Sequence, residues 1–310
     1  MKPTSKWTPF LFILPAFSIY AFTVLIPLIG TLGSSFTKWN GYGSPEWIGF
    51  RNYLRALKDT IFLSSFKHVF IYVVATIILE VAVGLILAGI LSSRKRTDVY
   101  RIALFVPVML PMVIVAVLWR FIYNADFGLL NGALEGIGLP QYAKIWLGDP
   151  KFALAAICLV SGWVYAGFYL AIFYAGLQRL PKEIIESASL DGAKQSAIFW
   201  KIKVPMIRRL WEVAVLICIT GGIQGFDLFF VMTNGGPYYS TEVPTTYMVR
   251  MVFRDQEIGY GSALAVLVTT TVLIIGFFYS KIRKKSEQVR IFINIPPVQT
   301  SSEFCCRKSR

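Results

Sequence analysis

Three acidic side chains fall inside long apolar stretches of the chain: Glu80, Glu212 and Asp227. A carboxyl group in such surroundings is expensive to keep, so by default each is read as functional, and the simplest chemistry open to it is coupling to an ion. Two residues near Asp227, Gln224 and Phe226, share its stretch, and a preceding apolar stretch carries Trp163, Tyr165, Phe168 and Tyr169. Ring faces next to an amide and a carboxylate can line a path for a polar solute. The competing reading is plain packing: aromatics at helical spacing fill cores, and Gly221 with Gly225 makes a small-xxx-small pair that lets two helices approach.

Other chemistries are excluded or unsupported. No G-x-x-x-x-G-K-[ST] phosphate loop occurs, so nucleotide binding does not belong to this chain. No nucleophile and base share a depth, and no metal-ligand spacing is present. Cys158 and Cys218 read as small apolar residues inside helices, and Cys305 and Cys306 are adjacent near the C-terminus. The single histidine, His68, stands where an apolar segment begins and reads as a satisfied interfacial residue.

The elements that must position these residues follow from composition. The 310 residues are 55% hydrophobic and 15% charged, where a soluble domain carries roughly 25% charged residues, and the mean hydropathy is +0.60. Segments at about 10–33, 69–91, 103–123, 152–177, 210–232 and 262–279 are each apolar enough, and about long enough, to cross a bilayer as a helix. The first has too long an apolar run for a signal peptide and no small-x-small cleavage site. Threading six spans puts both termini on one side together with the connections at 93–101 and 181–207, and that side collects 21 of the 31 basic residues. The positive-inside rule makes it the cytoplasm. The net charge of +14 is therefore topological and gives no sign of nucleic-acid binding.

The stretch PKEIIESASLDGAKQSAIFWKIKVPMI, 181–207, is too polar to span. Pro181 suits a first helical turn, Glu183 and Glu186 suit the positive end of a helix, and Gly192 permits a sharp turn. A second short helical piece then runs through Phe199 and Ile202 before Pro205 opens the next span. On physical grounds this helix-turn-helix either rests on lipid headgroups or docks on a soluble partner.

Its pattern, Glu186-Ser187-Ala188, Asp191-Gly192-Ala193, Phe199, Ile202 and Val204-Pro205, resembles the EAA loop of ABC importer permeases, with Ser187 in place of the usual alanine. Thr233-Asn234-Gly235-Gly236-Pro237 with Thr241, and Gly259-Tyr260-Gly261-Ser262-Ala263, resemble the carbohydrate-uptake branch of that family, of the binding-protein-dependent maltose and glycerol-phosphate type. The resemblance runs from about residue 8 to 282.

It implies an all-α membrane protein with six transmembrane helices, the type I importer fold and a cytoplasmic coupling helix. Residues 1–9 would be a cytoplasmic N-terminus, 10–282 the permease domain, and 283–310 a weakly ordered cytoplasmic tail. It implies a transport subunit, not an enzyme, in a bacterial inner membrane, working with a second permease, two ATPase subunits and an extracellular binding protein. The ATPase would use ATP and Mg, and this chain would bind no cofactor. Coupling would fall to Glu186, Ser187, Ala188, Asp191, Gly192 and Ala193. A path for a sugar or polyol would draw on Trp163, Tyr165, Tyr169, Gln224, Phe226 and Asp227. The alternative is an ion-coupled secondary transporter using Glu80, Glu212 or Asp227.

Overall fold

The computed structural model describes residues 8–94 and 97–293. Over that range the regular structure is helical apart from one two-residue antiparallel ladder. The elements run α1 (Phe10–Ser34), β1 (Thr37–Lys38), β2 (Glu46–Trp47), α2 (Arg51–Ala56), α3 (Thr60–Ser92), α4 (Asp98–Met109), α5 (Met112–Ile122) and α6 (Leu129–Gly136). They continue with α7 (Ala153–Gln178), α8 (Lys182–Leu190), α9 (Gln195–Ile198), α10 (Val204–Met206), α11 (Arg208–Ile223), α12 (Asp227–Met232), α13 (Pro244–Phe253) and α14 (Ile258–Ile293). Thr37 pairs with Trp47, so the all-helical expectation holds except at this hairpin.

Among the described residues four helices are long and apolar enough to cross a bilayer: α1, α3, α7 and the Ile258–Tyr279 part of α14. They correspond to the expected spans at 10–33, 69–91, 152–177 and 262–279. α3 begins earlier than expected because Asp59 caps it, its carboxylate accepting from the amides of Ile61 at 3.0 Å and Phe62 at 3.1 Å.

The other two expected spans are not straight helices. Segment 103–123 is a bent pair, α4 and α5 meeting at 98°, so the described residues hold five spans if the pair counts as one. Pro107 and Pro111 lie at this bend, where a residue without an amide hydrogen cannot continue the ladder. Segment 210–232 is parted into α11, of 16 residues, and α12, of 6. Each is shorter than the roughly 20 residues a span needs. Gly221, Gly222 and Gly225, poor helix formers, surround the break.

The chain divides into two compact units, one ending at Val268 and the other beginning at Thr269. Within the first unit, α3, α7 and α11 enclose a core that includes Leu85, Leu91, Phe173, Leu177 and Cys218, all buried. A second core joins the α2–α3 corner to α13 and the start of α14 through Ala56, Phe62, Tyr247, Met251 and Leu264. Its polar centre is Asp59, whose Oδ2 accepts from the hydroxyls of Tyr247 and Tyr260, both at 2.7 Å. The Gly259–Ala263 motif serves this junction: the Gly259 amide donates to the Trp39 carbonyl at 3.0 Å, and Ser262 and Ala263 are buried.

In the second unit the helix carries on past 282 to Ile293, so the first part of the expected weakly ordered tail is helical. Residues 294–310 with Cys305 and Cys306, residues 1–7 with Lys2 and Lys6, and Lys95 with Arg96 lie outside the described residues.

Candidate functional site

The break between α11 and α12 opens on a cavity of about 580 Å³. Tyr165 and Tyr169 of α7 line it, together with Gln224, Phe226 and Asp227 at the break. Trp163 does not. It faces away on α7, 47% exposed, with its ring edge-on to Trp119 at 5.6 Å between centroids. Phe168 joins the lining instead.

Gly221 and Gly225 also face the cavity. A side-chain carbon at Gly221 would meet no atom within 4 Å, so the pair is not a helix-packing seam. Irregular backbone at membrane depth is tolerated where it lines a cavity and finds partners, and Thr245 Oγ1 supplies one by donating to the Gly225 carbonyl at 2.7 Å.

Opposite the break stands a polar wall that composition does not reveal. Glu80 sits in a π-helical turn of α3, Ile77–Ala82, and is 4% exposed. Its Oε1 accepts from Ser161 Oγ at 2.7 Å. Since that bond uses the only proton of Ser161, the Tyr72 hydroxyl, 2.7 Å away, is the donor to Ser161. Cys218 Sγ lies 3.4 Å from Thr76 Oγ1 and 3.8 Å from Glu80 Oε2. Three helices, α3, α7 and α11, therefore meet at one buried carboxyl. Tyr72, Thr76, Glu80 and Ser161 were not expected in the path. The signal that could have found them is Glu80 itself, an acid within an apolar helix.

The three acids thus separate. Glu80 and Asp227 line the cavity, whereas Glu212 lies outside it and pairs along α11 with Arg208, Nε to Oε1 at 2.5 Å.

Beyond the break, the Thr233–Thr241 motif is a clamped loop. Glu242 is wholly buried; its Oε2 takes the Arg250 guanidinium at 2.6 Å and its Oε1 the Thr246 hydroxyl at 2.7 Å. Arg250 also donates to the Asn234 carbonyl at 2.8 Å, and Thr241 donates to that of Gly236 at 2.6 Å. Burial pushes the Glu242 carboxyl upward, and the Thr246 hydroxyl and Arg250 charge pull against it. Gly235, at φ +79°, lies against the Glu242 carboxylate, where any side chain would collide. His68 Nδ1 donates to the Glu242 carbonyl at 2.8 Å, the satisfied role expected of it.

α8, by contrast, has no buried residue. Glu186, Ser187, Asp191 and Gly192 are exposed, Ala188 and Ala193 half-buried, and Leu190 stands 89% exposed. The helix ends in a Schellman turn, with the Ala193 amide donating to Ala188 at 3.0 Å and that of Gly192 to Ser189 at 3.1 Å. Gly192 adopts φ +81°, with open space around it. The segment is anchored just beyond, where Ile198 is wholly buried and Phe199 lies against Gly89 of α3. The span that follows opens at Arg208, after a break at Ile207, and not at Pro205.

A family model for the binding-protein-dependent transport system inner membrane component matches residues 80–287. The probable ABC transporter permease protein YurN of Bacillus subtilis is 34% identical over 293 residues, covering 93% of this chain and 100% of that protein. The diacetylchitobiose uptake system permease protein NgcF of Streptomyces coelicolor is 32% identical, covering 83% of this chain and 76% of its own. Among solved structures, a chain of a bacterial ABC transporter involved in the import of the acidic polysaccharide alginate superposes with a TM-score of 0.81 at 20% identity, over 90% of this chain and 96% of that one.

Proposed function

The chain belongs to the family of binding-protein-dependent transport system inner membrane components, and from that premise we propose that it forms half of the translocation path of an ATP-driven importer for a sugar or related polyol. In this reading α8 is the coupling helix. It receives the motion of a partner ATPase, and the bent and broken segments transmit that motion to the cavity. The assembly would comprise this chain, a second permease, two ATPase subunits and an extracellular binding protein, with both termini of this chain in the cytoplasm and six passes through the inner membrane. Counting six requires the bent pair and the broken α11–α12 segment each to serve as one pass.

The observation that carries the coupling reading is the contrast within 181–207: α8 presents Glu186, Ser187 and Ser189 to solvent, while Ile198 just beyond is wholly buried and Phe199 packs against the α3–α7–α11 core. A docking element needs both an open face and a rigid root. Tyr165, Tyr169, Gln224, Phe226 and Asp227 would line the solute path, with ring faces beside hydrogen-bonding groups. ATP and Mg would be used by the ATPase, and this chain would do no covalent chemistry.

The test is uptake by the reconstituted assembly. It should require ATP and the ATPase subunits and should survive collapse of proton and sodium gradients. Uptake by this chain alone on an ion gradient would overturn the proposal in favour of the secondary transporter.

A further inference from the structure

We propose that the cavity admits neutral or amine-bearing saccharides and turns away acidic ones, with Asp227 and Glu80 setting that preference. The inference rests on the reading of the cavity as the solute path and adds the charge class of the solute.

Among the described residues the wall holds two carboxyl groups, Glu80 and Asp227, and no lysine, arginine or histidine. Arg120 turns to the Val231 carbonyl at 3.3 Å and does not line the cavity. Asp227 and Gln224 are accessible at the break, and among the described residues neither side chain has a hydrogen-bond partner. Their oxygens are available as acceptors for hydroxyl or ammonium groups, while Tyr165, Phe168 and Phe226 offer ring faces to the C–H side of a pyranose. Glu80 is the second carboxyl of the wall: its Oε1 accepts from Ser161, and its Oε2 lies 3.8 Å from the Cys218 sulfur, which is closer to Thr76.

A uronate carried into this space would shed water from its carboxylate, meet no counter-charge on this chain's wall and face the Asp227 carboxylate there. A neutral hydroxyl suffers neither cost. An ammonium gains a partner in Asp227.

The test uses the purified transporter assembly in lipid nanodiscs, without its binding protein, and saturation-transfer NMR with three matched disaccharides: cellobiose, the glucosamine dimer and the glucuronic acid analogue of cellobiose. The first two should bind, and the acidic one at least ten-fold more weakly. In the Glu80→Gln/Asp227→Asn double variant, the acidic disaccharide should rise to within about three-fold of cellobiose. Equal binding of all three to the native assembly, or an unchanged preference in the double variant, overturns the charge inference. A Tyr165→Ala variant separates that failure from failure of the underlying reading. If it binds cellobiose like the native chain, or if the native assembly binds none of the three, the cavity is not the solute path and both conclusions fall together.

Discussion

Asp59 does two jobs with one carboxylate: Oδ1 caps α3, and Oδ2 holds two phenols from α13 and α14. Burial by itself would raise its pKa, but the hydroxyls of Tyr247 and Tyr260 and the amides of Phe62 and Ile61 outweigh that and hold it below the ordinary carboxylate range. A depressed acid contributes stability that is fully present above its unfolded pKa, near about 4, and is lost as pH falls through the lower folded value. Thermal unfolding in detergent should therefore show a drop in midpoint below about pH 4 that Asp59→Asn flattens. An unchanged acid limb in the variant would remove Asp59 from the account. The buried Glu242–Arg250 pair makes a sharper test. Arg250→Ala leaves a fully buried carboxylate without its cation, a loss expected to cost roughly 3–5 kcal/mol. The double variant Glu242→Gln/Arg250→Ala should recover a substantial part of it in the same assay. If the single variant melts like the native chain, the clamp contributes nothing to stability.

At the scale of elements, α8 and the α11–α12 break carry opposite logic. α8 is regular and exposed, so damage to it should spare folding. Gly192→Pro forces a negative φ where the turn needs +81° and so misdirects α8, while Glu186→Lys and Asp191→Lys reverse charge on the proposed docking face. All three should reach the membrane at near-native abundance, and uptake and ATPase co-purification should fall at least ten-fold. Normal co-purification in all three would leave α8 as a helix resting on lipid. The break is irregular and lines the cavity, its freed carbonyl met by Thr245 from twenty positions away. Thr245→Val should lower the unfolding midpoint by removing that donor, a loss of about 1 kcal/mol.

At the scale of the molecule, the core gathers the end of α3, the end of α7 and the start of α11 at one pole, the pole that bears α8. Arg94, Arg179, Lys182, Lys194, Lys201, Lys203 and Arg208 belong to that pole in sequence, and the proposed orientation makes it cytoplasmic. Single cysteines at Ser93 or Gln195, in a background without native cysteines, should resist impermeant thiol reagents in intact cells. Cysteines at Ser44 or Gln141 should react. All four positions are exposed, so access, not burial, decides the outcome. Labelling at Gln195 from outside would reverse the orientation and with it the docking of an ATPase on α8.

Sequence alone determined what is additive along the chain. Transfer of apolar side chains into hydrocarbon sums residue by residue, so the apolar segments, the polar interruption at 181–207 and the motifs of the family were all legible before any fold. It also placed Tyr165, Tyr169, Gln224, Phe226 and Asp227 at plausible depths. What it could not decide is what depends on helix rotation and on partners distant in the chain. Trp163 and Tyr165 are two positions apart, and only the facing of α7 puts one on the outer surface and the other in the cavity. The bend at Pro111 and the break at Gln224–Phe226 leave hydropathy untouched, because interrupting a helix changes hydrogen bonding and not apolar content. Glu80 stood in the sequence as an isolated acid, and folding set Ser161 beside it from 81 positions away. A buried carboxyl takes its role from the donors that surround it, and in this chain those donors come from other helices.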